Sequence, residues 1–162
     1  MIVYNMSTNT WSTTTAYNAS LGGIGIVAVE TNIYTIGGTT AGGTHTNKCF
    51  KFDTLTNTYS ALADAIELVS QCGVVYYDGE IFIFGGTNAA GSYVPAIRKY
   101  TIATNSWGTL STTVPTPLPK TAAYYDNVHM SVGWDQHVRY NITSQTLTTG
   151  LITHSQYTPF VS

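Results

Sequence analysis

Charged residues are scarce in this chain: they make up only 9% of its 162 residues, and the formal net charge is −2. The six lysines and arginines form no cluster along the chain. This argues against nucleic acid as a partner, because nucleic-acid binding needs clustered basic side chains that displace counterions. Long apolar runs are missing as well. The longest one, residues 24–29, is far too short to cross a bilayer, so we expect no membrane insertion.

Cysteine is also rare, and no signal-like segment opens the chain. A basic stretch followed by a hydrophobic core is absent from the first residues, so we predict no secretory signal. We interpret Cys49 and Cys72 as two buried free thiols, while a disulfide between them stays open for an extracellular protein. Chance explains the sequons at Asn5, Asn18 and Asn141 in a chain this rich in Thr, Ser and Asn, and they matter only in a eukaryotic secretory route.

The residues that are abundant point to a folded β protein. Hydrophobic residues make up 43% of the chain, including 12 tyrosines, which is enough for a globular core and argues against disorder. Thr, Ser, Asn and Gly take the place of charged residues on the surface. Threonine is β-branched and fits a pleated, half-exposed strand, so this composition favours sheets.

A pair of glycines recurs at a fixed spacing. Gly37-Gly38 returns as Gly85-Gly86 and, in a degraded copy, as Gly133-Trp134, and each copy is offset by 48 residues from the one before. Each copy closes a short run with β-like composition. A period of this size is typical of a chain built from stacked copies of one supersecondary unit.

Aromatic residues follow the same period. In each copy one aromatic residue is followed by another seven residues later, with a turn rich in Asn and Thr between them, which predicts a hairpin. The first positions hold Tyr4, Phe52, Tyr100 and Tyr140, and the second positions hold Trp11, Tyr59, Trp107 and finally Leu147. We expect the aromatic side chains to fill the space between neighbouring sheets.

A second hairpin precedes each glycine pair. Its turns are predicted at 30–31, 78–79 and 126–127, since Asp-Gly between apolar runs is a strong hairpin signal. Each unit therefore has four antiparallel strands, the first of them at 25–29, 73–77 and 121–125. In this superposition His129 falls at the position of Ile33 and Ile81, so we predict that it packs in the core.

A four-stranded antiparallel unit repeated at this interval is typical of a propeller blade. The chain resembles the kelch-repeat β-propellers, whose blades show a hydrophobic run ending in Gly-Gly, then a Tyr, then a Trp. Two stretches carry the resemblance: Ile36-Gly37-Gly38 with Phe52 and Tyr59, and Phe84-Gly85-Gly86 with Tyr100 and Trp107. It implies an all-β fold, a β-propeller of four-stranded antiparallel kelch-type blades, with about three and a half blades in this chain.

The repeat predicts how these blades divide the chain. Residues 1–20 form an N-terminal half-blade with only a third and a fourth strand, 21–68 and 69–116 form blades, 117–153 form a degenerate blade, and 154–162 form a tail that could supply a closing strand. Propellers close with about four to eight blades. We therefore expect partners that complete the ring, either a second copy of the chain or other blades of a longer propeller.

Any ligand site is predicted on one face of the propeller. The short turns lie at one end of the sheets, and the long connections 13–22, 39–48, 63–70, 87–96 and 111–120 lie at the other, where binding residues concentrate. The candidate ligand-binding residues there are Tyr17, His45, Asn47, Tyr93, Trp134, Asp135 and His137. Aromatic rings with uncharged amides and hydroxyls suit sugars or polar protein surfaces. The alternative is that these side chains only decorate the loops.

We predict no catalytic residue, metal site or cofactor. The histidines lack metal-ligand spacing, the carboxylates sit at turns where they cap the backbone, and no glycine-rich phosphate loop leads into a helix. The preferred function is a non-enzymatic recognition or assembly module that binds a protein or a glycan. A virion or extracellular surface is the favoured setting, and the cytoplasm stays open. The alternatives are part of a carbohydrate-active or oxidase-type propeller enzyme and a structural spacer.

Overall fold

The computed structural model describes residues 2–14, 21–115, 120–132 and 136–150, and every regular element within these ranges is a β-strand. The strands are β1 (Ile2–Asn5), β2 (Thr10–Thr13), β3 (Leu21–Gly22), β4 (Gly25–Val29), β5 (Asn32–Ile36), β6 (Thr39–Thr40), β7 (Cys49–Asp53), β8 (Thr58–Ala61), β9 (Gly73–Tyr77), β10 (Glu80–Phe84), β11 (Ala96–Thr101), β12 (Ser106–Thr113), β13 (Lys120–Tyr124), β14 (Asn127–Val132), β15 (Gln136–Asn141) and β16 (Thr146–Thr148). None of these ranges contains a helix that is long and apolar enough to span a membrane.

The strands form three four-stranded antiparallel sheets. Blade 1 is β4-β5-β7-β8, blade 2 is β9-β10-β11-β12, and blade 3 is β13-β14-β15-β16, while β1 and β2 pair alone as a half-blade. The first strands lie side by side, with β9 next to both β4 and β13, as expected for strands around a propeller axis. The predicted all-β partial propeller is confirmed.

The turn between the third and fourth strands is set by an Asx side chain. In blade 1, Asp53 Oδ1 accepts hydrogen bonds from the backbone N–H groups of Leu55 and Thr56, at 2.8 and 3.1 Å. Asn57 then takes a left-handed conformation with φ 57°, and Asn105 does so in blade 2 with φ 49°. Asx residues make such local bonds and tolerate positive φ, so the predicted turn chemistry is confirmed.

Neighbouring blades pack through apolar side chains. We call the side of a blade that faces the preceding blade its near face and the opposite side its far face. Tyr34 and Ile36 on the far face of blade 1 meet Ile81, Ile83 and Tyr100 on the near face of blade 2 in one buried cluster. Successive strand residues point to opposite faces, so each second strand serves two interfaces.

Strand β10 shows this double burial most clearly. Ile81 and Ile83 lie in the cluster shared with blade 1, whereas Phe82 and Phe84 lie in the cluster shared with blade 3. These four side chains are at most 2% exposed. A strand buried on both faces has a continuous apolar sequence, and Ile-Phe-Ile-Phe has that composition.

The aromatic pairs pack at every repeat where they occur, but their burial differs. Ring centroids are 5.0 Å apart for Tyr100 and Trp107 and 4.8 Å apart for Tyr4 and Trp11. Tyr100 is only 2% exposed, whereas Tyr4 is 42% exposed. Tyr4 lies in the half-blade, whose near face is not covered by any described residue. The same aromatic position is therefore core in blade 2 and surface in the half-blade.

The first hairpin of blade 3 corrects the predicted superposition. Its turn is Tyr125-Asp126, one residue earlier than expected: the left-handed residue is Tyr125 with φ 52°, as Asp78 is in blade 2 with φ 46°. The strands shift accordingly, and a shift of one residue moves every side chain to the other face. Val128 and Met130 consequently pack against blade 2.

The prediction for His129 is therefore wrong. Its counterpart in blade 2 is Phe82, not Ile81, so His129 lies on the far face of blade 3 instead of in the interface with blade 2. The physical reason is burial: the alternation of Val128 and Met130 decides which face turns inward, because apolar side chains gain most from leaving water.

Candidate functional site

A cleft of about 820 Å³ opens at the end of the sheets where the long connections emerge. Its walls come from blades 1 and 2 at positions that correspond in the repeat: Thr39 with Thr87, His45 with Tyr93, and Gly23 with Gln71. In the cleft, the segments that precede β4 and β9 contact the segments that follow β5 and β10. Binding residues are commonly carried by loops on a rigid scaffold, and the cleft is therefore the candidate site.

The two loops that follow the glycine pairs have the same backbone structure. The N–H of Thr46 donates to the carbonyl of Gly38 at 2.9 Å, and the N–H of Val94 donates to the carbonyl of Gly86 at 2.9 Å. Shared bonds of this kind give the two loops equal shapes. They therefore present His45 and Tyr93 to the cleft from equivalent places.

The glycine pairs allow a close approach that forms the floor of the cleft. Gly37 has φ 60°, and a Cβ atom placed on it would lie 2.1 Å from the carbonyl oxygen of Val69. At Gly86, with φ 113°, a Cβ atom would lie 2.8 Å from the carbonyl oxygen of Ser70. A residue with a side chain would push the 69–71 segment away at both places. Glycine is required here for space as well as for its backbone conformation.

Hydroxyl groups connect the floor to one wall. Ser70 and Thr87 exchange backbone hydrogen bonds of 2.8 and 3.1 Å, and their side-chain oxygens are 2.8 Å apart. Nε2 of His45 lies 3.4 Å from Oγ1 of Thr87. Ser70 is 1% exposed and Thr87 is 8% exposed. These hydroxyls are thus internal groups that hold the cleft in shape, and they are not placed to attack a substrate.

The rim of the cleft is uncharged and combines apolar surface with polar groups. Tyr93 is 59% exposed and offers an aromatic ring to solvent, and Gln71 and Thr40 add an amide and a hydroxyl. None of the described residues that line the cleft is an Asp, Glu, Lys or Arg. Such a rim suits an uncharged ligand with hydrogen-bonding groups.

An ion pair behind the cleft holds two of its segments together. Arg98 is fully buried, and its Nε donates to Oε1 of Glu67 at 2.8 Å while a terminal nitrogen donates to the carbonyl of Gly85 at 3.2 Å. Glu67 belongs to the connection that continues into Ser70 and Gln71. Charged hydrogen bonds are about twice as strong as neutral ones, so this pair braces the floor from behind.

The structure places the predicted site residues in different parts of the molecule. His45 and Tyr93 line the cleft, whereas the side-chain amide of Asn47 donates to the carbonyl of Ala65 at 3.2 Å and fixes a connection. His137 stacks on His129 on the far face of blade 3, with ring centroids 5.1 Å apart. Three further candidates, Tyr17, Trp134 and Asp135, lie outside the described residues.

Sequence reasoning missed Ser70, Gln71 and Thr87, which also line the cleft. One signal for Gln71 was available: superposing the repeats places it on Gly23, next to the first strand of the neighbouring blade. Ser70 and Thr87 meet through hydrogen bonds between two loops that are far apart in sequence, and no local pattern marks them.

The remaining titratable groups near the cleft give no sign of nucleophilic or metal chemistry. Burial raises the pKa of Cys49 to about 12 and that of Cys72 to about 11, so both thiols stay protonated at neutral pH. Both cysteines are free. In the described ranges, no group of three or more His, Cys, Asp or Glu side chains is arranged to hold a metal ion.

Four-stranded antiparallel blades around a common axis define a partial β-propeller. Comparison with known families matches the Kelch motif at residues 21–65 and again at residues 69–112, more than half of the chain. The chain therefore belongs to the kelch-repeat family. No curated protein matches it. Kelch repeats generally form propellers that mediate protein–protein interactions and are non-enzymatic.

Proposed function

We propose that this chain is a non-enzymatic recognition module that binds an uncharged, polar segment of a partner protein in the cleft of the long-loop face. The observation that carries the proposal is the exposed ring of Tyr93 beside a braced floor formed by Ser70 and Thr87. The exposed aromatic ring supplies apolar contact area, the floor keeps the cleft in shape, and the polar side chains of Gln71 and Thr40 supply directional hydrogen bonds.

The chemistry of the rim limits which segments of a partner protein can bind in the cleft. A charged side chain that entered this cleft would lose water without meeting an opposite charge on the described rim, which is costly. Hydroxyl and amide groups of Ser, Thr, Asn or Gln, together with exposed backbone amides, would find matching donors and acceptors. We therefore expect extended segments that are poor in charged residues.

Selection of short random peptides displayed on phage tests the proposal. Selected peptides should be enriched in uncharged polar residues, and Tyr93→Ala should weaken their binding at least about tenfold, since a buried aromatic anchor commonly contributes more than 1.4 kcal/mol. Tyr125→Ala is the matched control, because Tyr125 is 76% exposed in a turn at the opposite end of the sheets. Equal affinities for both variants, or no selected peptide, would contradict the proposal.

A glycan is the second candidate ligand, and the same exposed ring of Tyr93 favours it, because sugar rings stack on aromatic faces. An array of neutral and acidic oligosaccharides would distinguish the two candidates. Binding to neutral sugars that Tyr93→Ala abolishes would favour a glycan over a peptide. A copper analysis of the purified chain addresses the rival oxidase function, for which stoichiometric metal is required.

Completion of the ring is part of the proposed assembly role. Tyr4 and Trp11 in the half-blade are 42% and 71% exposed, whereas their counterparts in blade 2 are buried at Tyr100 and half-buried at Trp107. These apolar positions are exposed in the half-blade, although they pack in the core elsewhere in the repeat. Their exposure supports the proposal that further blades cover them, either from a second copy or from a longer propeller. An extracellular or virion surface remains our preferred setting, on the grounds of the low-charge, Thr- and Asn-rich composition. Gel filtration with light scattering measures the self-association.

A further inference from the structure

Gln71 holds a backbone conformation that is unusual for its place in the fold. Among the described residues other than glycine, eight have a positive φ, and seven of these lie in hairpin turns. Gln71, with φ 56°, lies instead in the connection between β8 and β9, on the rim of the cleft. Turn geometry therefore does not explain it. Residues held in this region outside turns cluster at binding and catalytic sites.

The repeat shows what the position requires. Its counterpart before β4 is Gly23, which has φ 61°. Glycine takes this conformation without steric strain, whereas a residue with a Cβ atom is disfavoured there. Blade 1 thus uses the unstrained residue, and blade 2 uses a strained one at the same place.

Hydrogen bonds at Gln71 and at the residue before it hold this conformation. The N–H of Gln71 donates to the carbonyl of Gly23 at 2.7 Å, and the preceding Ser70 exchanges two backbone bonds with Thr87. Because its own amide and the preceding residue are fixed, the backbone of Gln71 cannot relax without breaking bonds in the floor of the cleft. The strain is maintained by the surrounding structure.

The side chain of Gln71 lies over Gly23. A Cβ atom placed on Gly23 would come within 3.1 Å of Cγ of Gln71, so the glycine leaves room for the glutamine. Gln71 is exposed at the rim, and no described residue forms a hydrogen bond with its carboxamide. A carboxamide offers donors and an acceptor together, and here both remain available to a ligand.

We propose that Gln71 is a specificity-determining residue of the cleft. Its carboxamide donates one N–H and accepts one N–H, in the pattern that pairs with a backbone amide or a Gln or Asn side chain of an incoming segment. This inference rests on the proposed function and names the group that the cleft recognises. It also explains why a strained residue occupies a position that glycine fills in blade 1.

The test uses the phage-selected peptides as probes and compares Tyr93→Ala with three further variants. Gln71→Gly should raise the midpoint of urea unfolding, because the strain is relieved, yet weaken peptide binding about tenfold, because two hydrogen bonds are lost. Gln71→Glu keeps the size of the side chain and removes its donors, and should weaken binding at least as much. Asp78→Gly relieves the same conformation in a hairpin at the far end of the sheet and should leave binding unchanged.

The outcomes separate this inference from the proposed function. If Tyr93→Ala weakens binding while Gln71→Gly and Gln71→Glu do not, the cleft binds the peptide without Gln71 and the inference is wrong. If Tyr93→Ala has no effect either, the proposed function itself fails and the inference falls with it. A lower unfolding midpoint for Gln71→Gly would show that the backbone is not strained, which also overturns the inference.

Discussion

The far faces of blades 2 and 3 occupy equivalent places in the repeat and have different chemistry. Blade 2 presents Phe82, Phe84 and Ile97, all of them buried against blade 3. At the corresponding positions blade 3 presents His129, Ser131 and His137. Nδ1 of His129 lies 3.1 Å from Nε2 of His137, and the two rings are stacked. One face is a core, and the other carries hydrogen-bonding groups, of which the two imidazoles are half-buried.

This difference shows which contacts between blades are stabilised by apolar burial. Blades 1, 2 and 3 are joined by two apolar clusters, and this pattern stops at the far face of blade 3. Any molecule that contacts this face meets imidazoles and a hydroxyl, and it needs hydrogen-bonding groups of its own.

The largest effect is expected from truncating the apolar face. Phe82→Ala should lower the free energy of unfolding by about 3–5 kcal/mol, since it leaves a cavity between blades 2 and 3. His129→Ala, at the equivalent position of blade 3, should lower it by less than about 1 kcal/mol, because it leaves no cavity in a core. Urea unfolding monitored by tryptophan fluorescence measures both. Equal losses would show that the far face of blade 3 is also buried.

The near faces of the same two blades differ as well, since blade 2 has Arg98 where blade 3 has Val138. Glu67→Ala should lower the free energy of unfolding by about 2 kcal/mol, because it leaves the fully buried Arg98 without its partner. This figure is below that of a fully buried pair, since the Glu67 side chain is 39% exposed.

The double variant with Arg98→Met and Glu67→Ala is the control for this ion pair. It should lose less stability than Glu67→Ala alone, because replacing a buried ion pair with apolar atoms is often neutral. A double variant that is less stable than Glu67→Ala would mean that Arg98 stabilises the fold through contacts other than the pair. The measurement is again urea unfolding.

A smaller effect should distinguish two tyrosines at equivalent positions. The hydroxyl of Tyr100 donates to Oδ1 of Asn105 at 2.7 Å, whereas the buried hydroxyl of Tyr140 has no partner among the described residues. Tyr100→Phe should lower the free energy of unfolding by about 1 kcal/mol, and Tyr140→Phe should leave it unchanged or raise it. Equal losses in thermal unfolding would place a hydrogen bond on Tyr140 that the described residues do not supply.

The smallest change in stability is expected when the polar face is made apolar. The double variant with His129→Phe and His137→Ile gives blade 3 the side chains of blade 2, and its free energy of unfolding should stay within about 1 kcal/mol. Its solubility should fall, since a new exposed apolar patch promotes association. Light scattering measures the molar mass, and a variant that associates no more than the parent would contradict this interpretation of the far face.

Much of the fold could be predicted because its determinants are local. The Asx turns, the glycine pairs and the aromatic pairs each depend on residues that are close in sequence. The register of blade 3 could not be read from the superposition, because the spacing of its first hairpin differs by one residue from that of blade 2. The alternation of Val128 and Met130 predicts the observed register, since side chains two residues apart in a strand share a face.

The candidate site was less predictable than the fold. His45 and Tyr93 could be placed on the loop face because they follow the glycine pairs at equal intervals. The burial of Ser70 and Thr87 depends on contacts between loops of different blades, which no local pattern encodes. Asn47 has a side chain of a type that binds ligands, yet its amide donates a hydrogen bond to the carbonyl of Ala65. Only the structure shows this.

The double burial of β10 has a consequence for the order in which the chain would lose its structure. Its amides lie in the middle of blade 2, between two other strands, and its side chains are covered by blade 1 on one side and by blade 3 on the other. Opening this strand to solvent requires that both neighbouring blades separate first. We therefore expect the amide protons of residues 81–84 to exchange most slowly among the described residues, and we expect fraying to proceed inward from the half-blade and from blade 3.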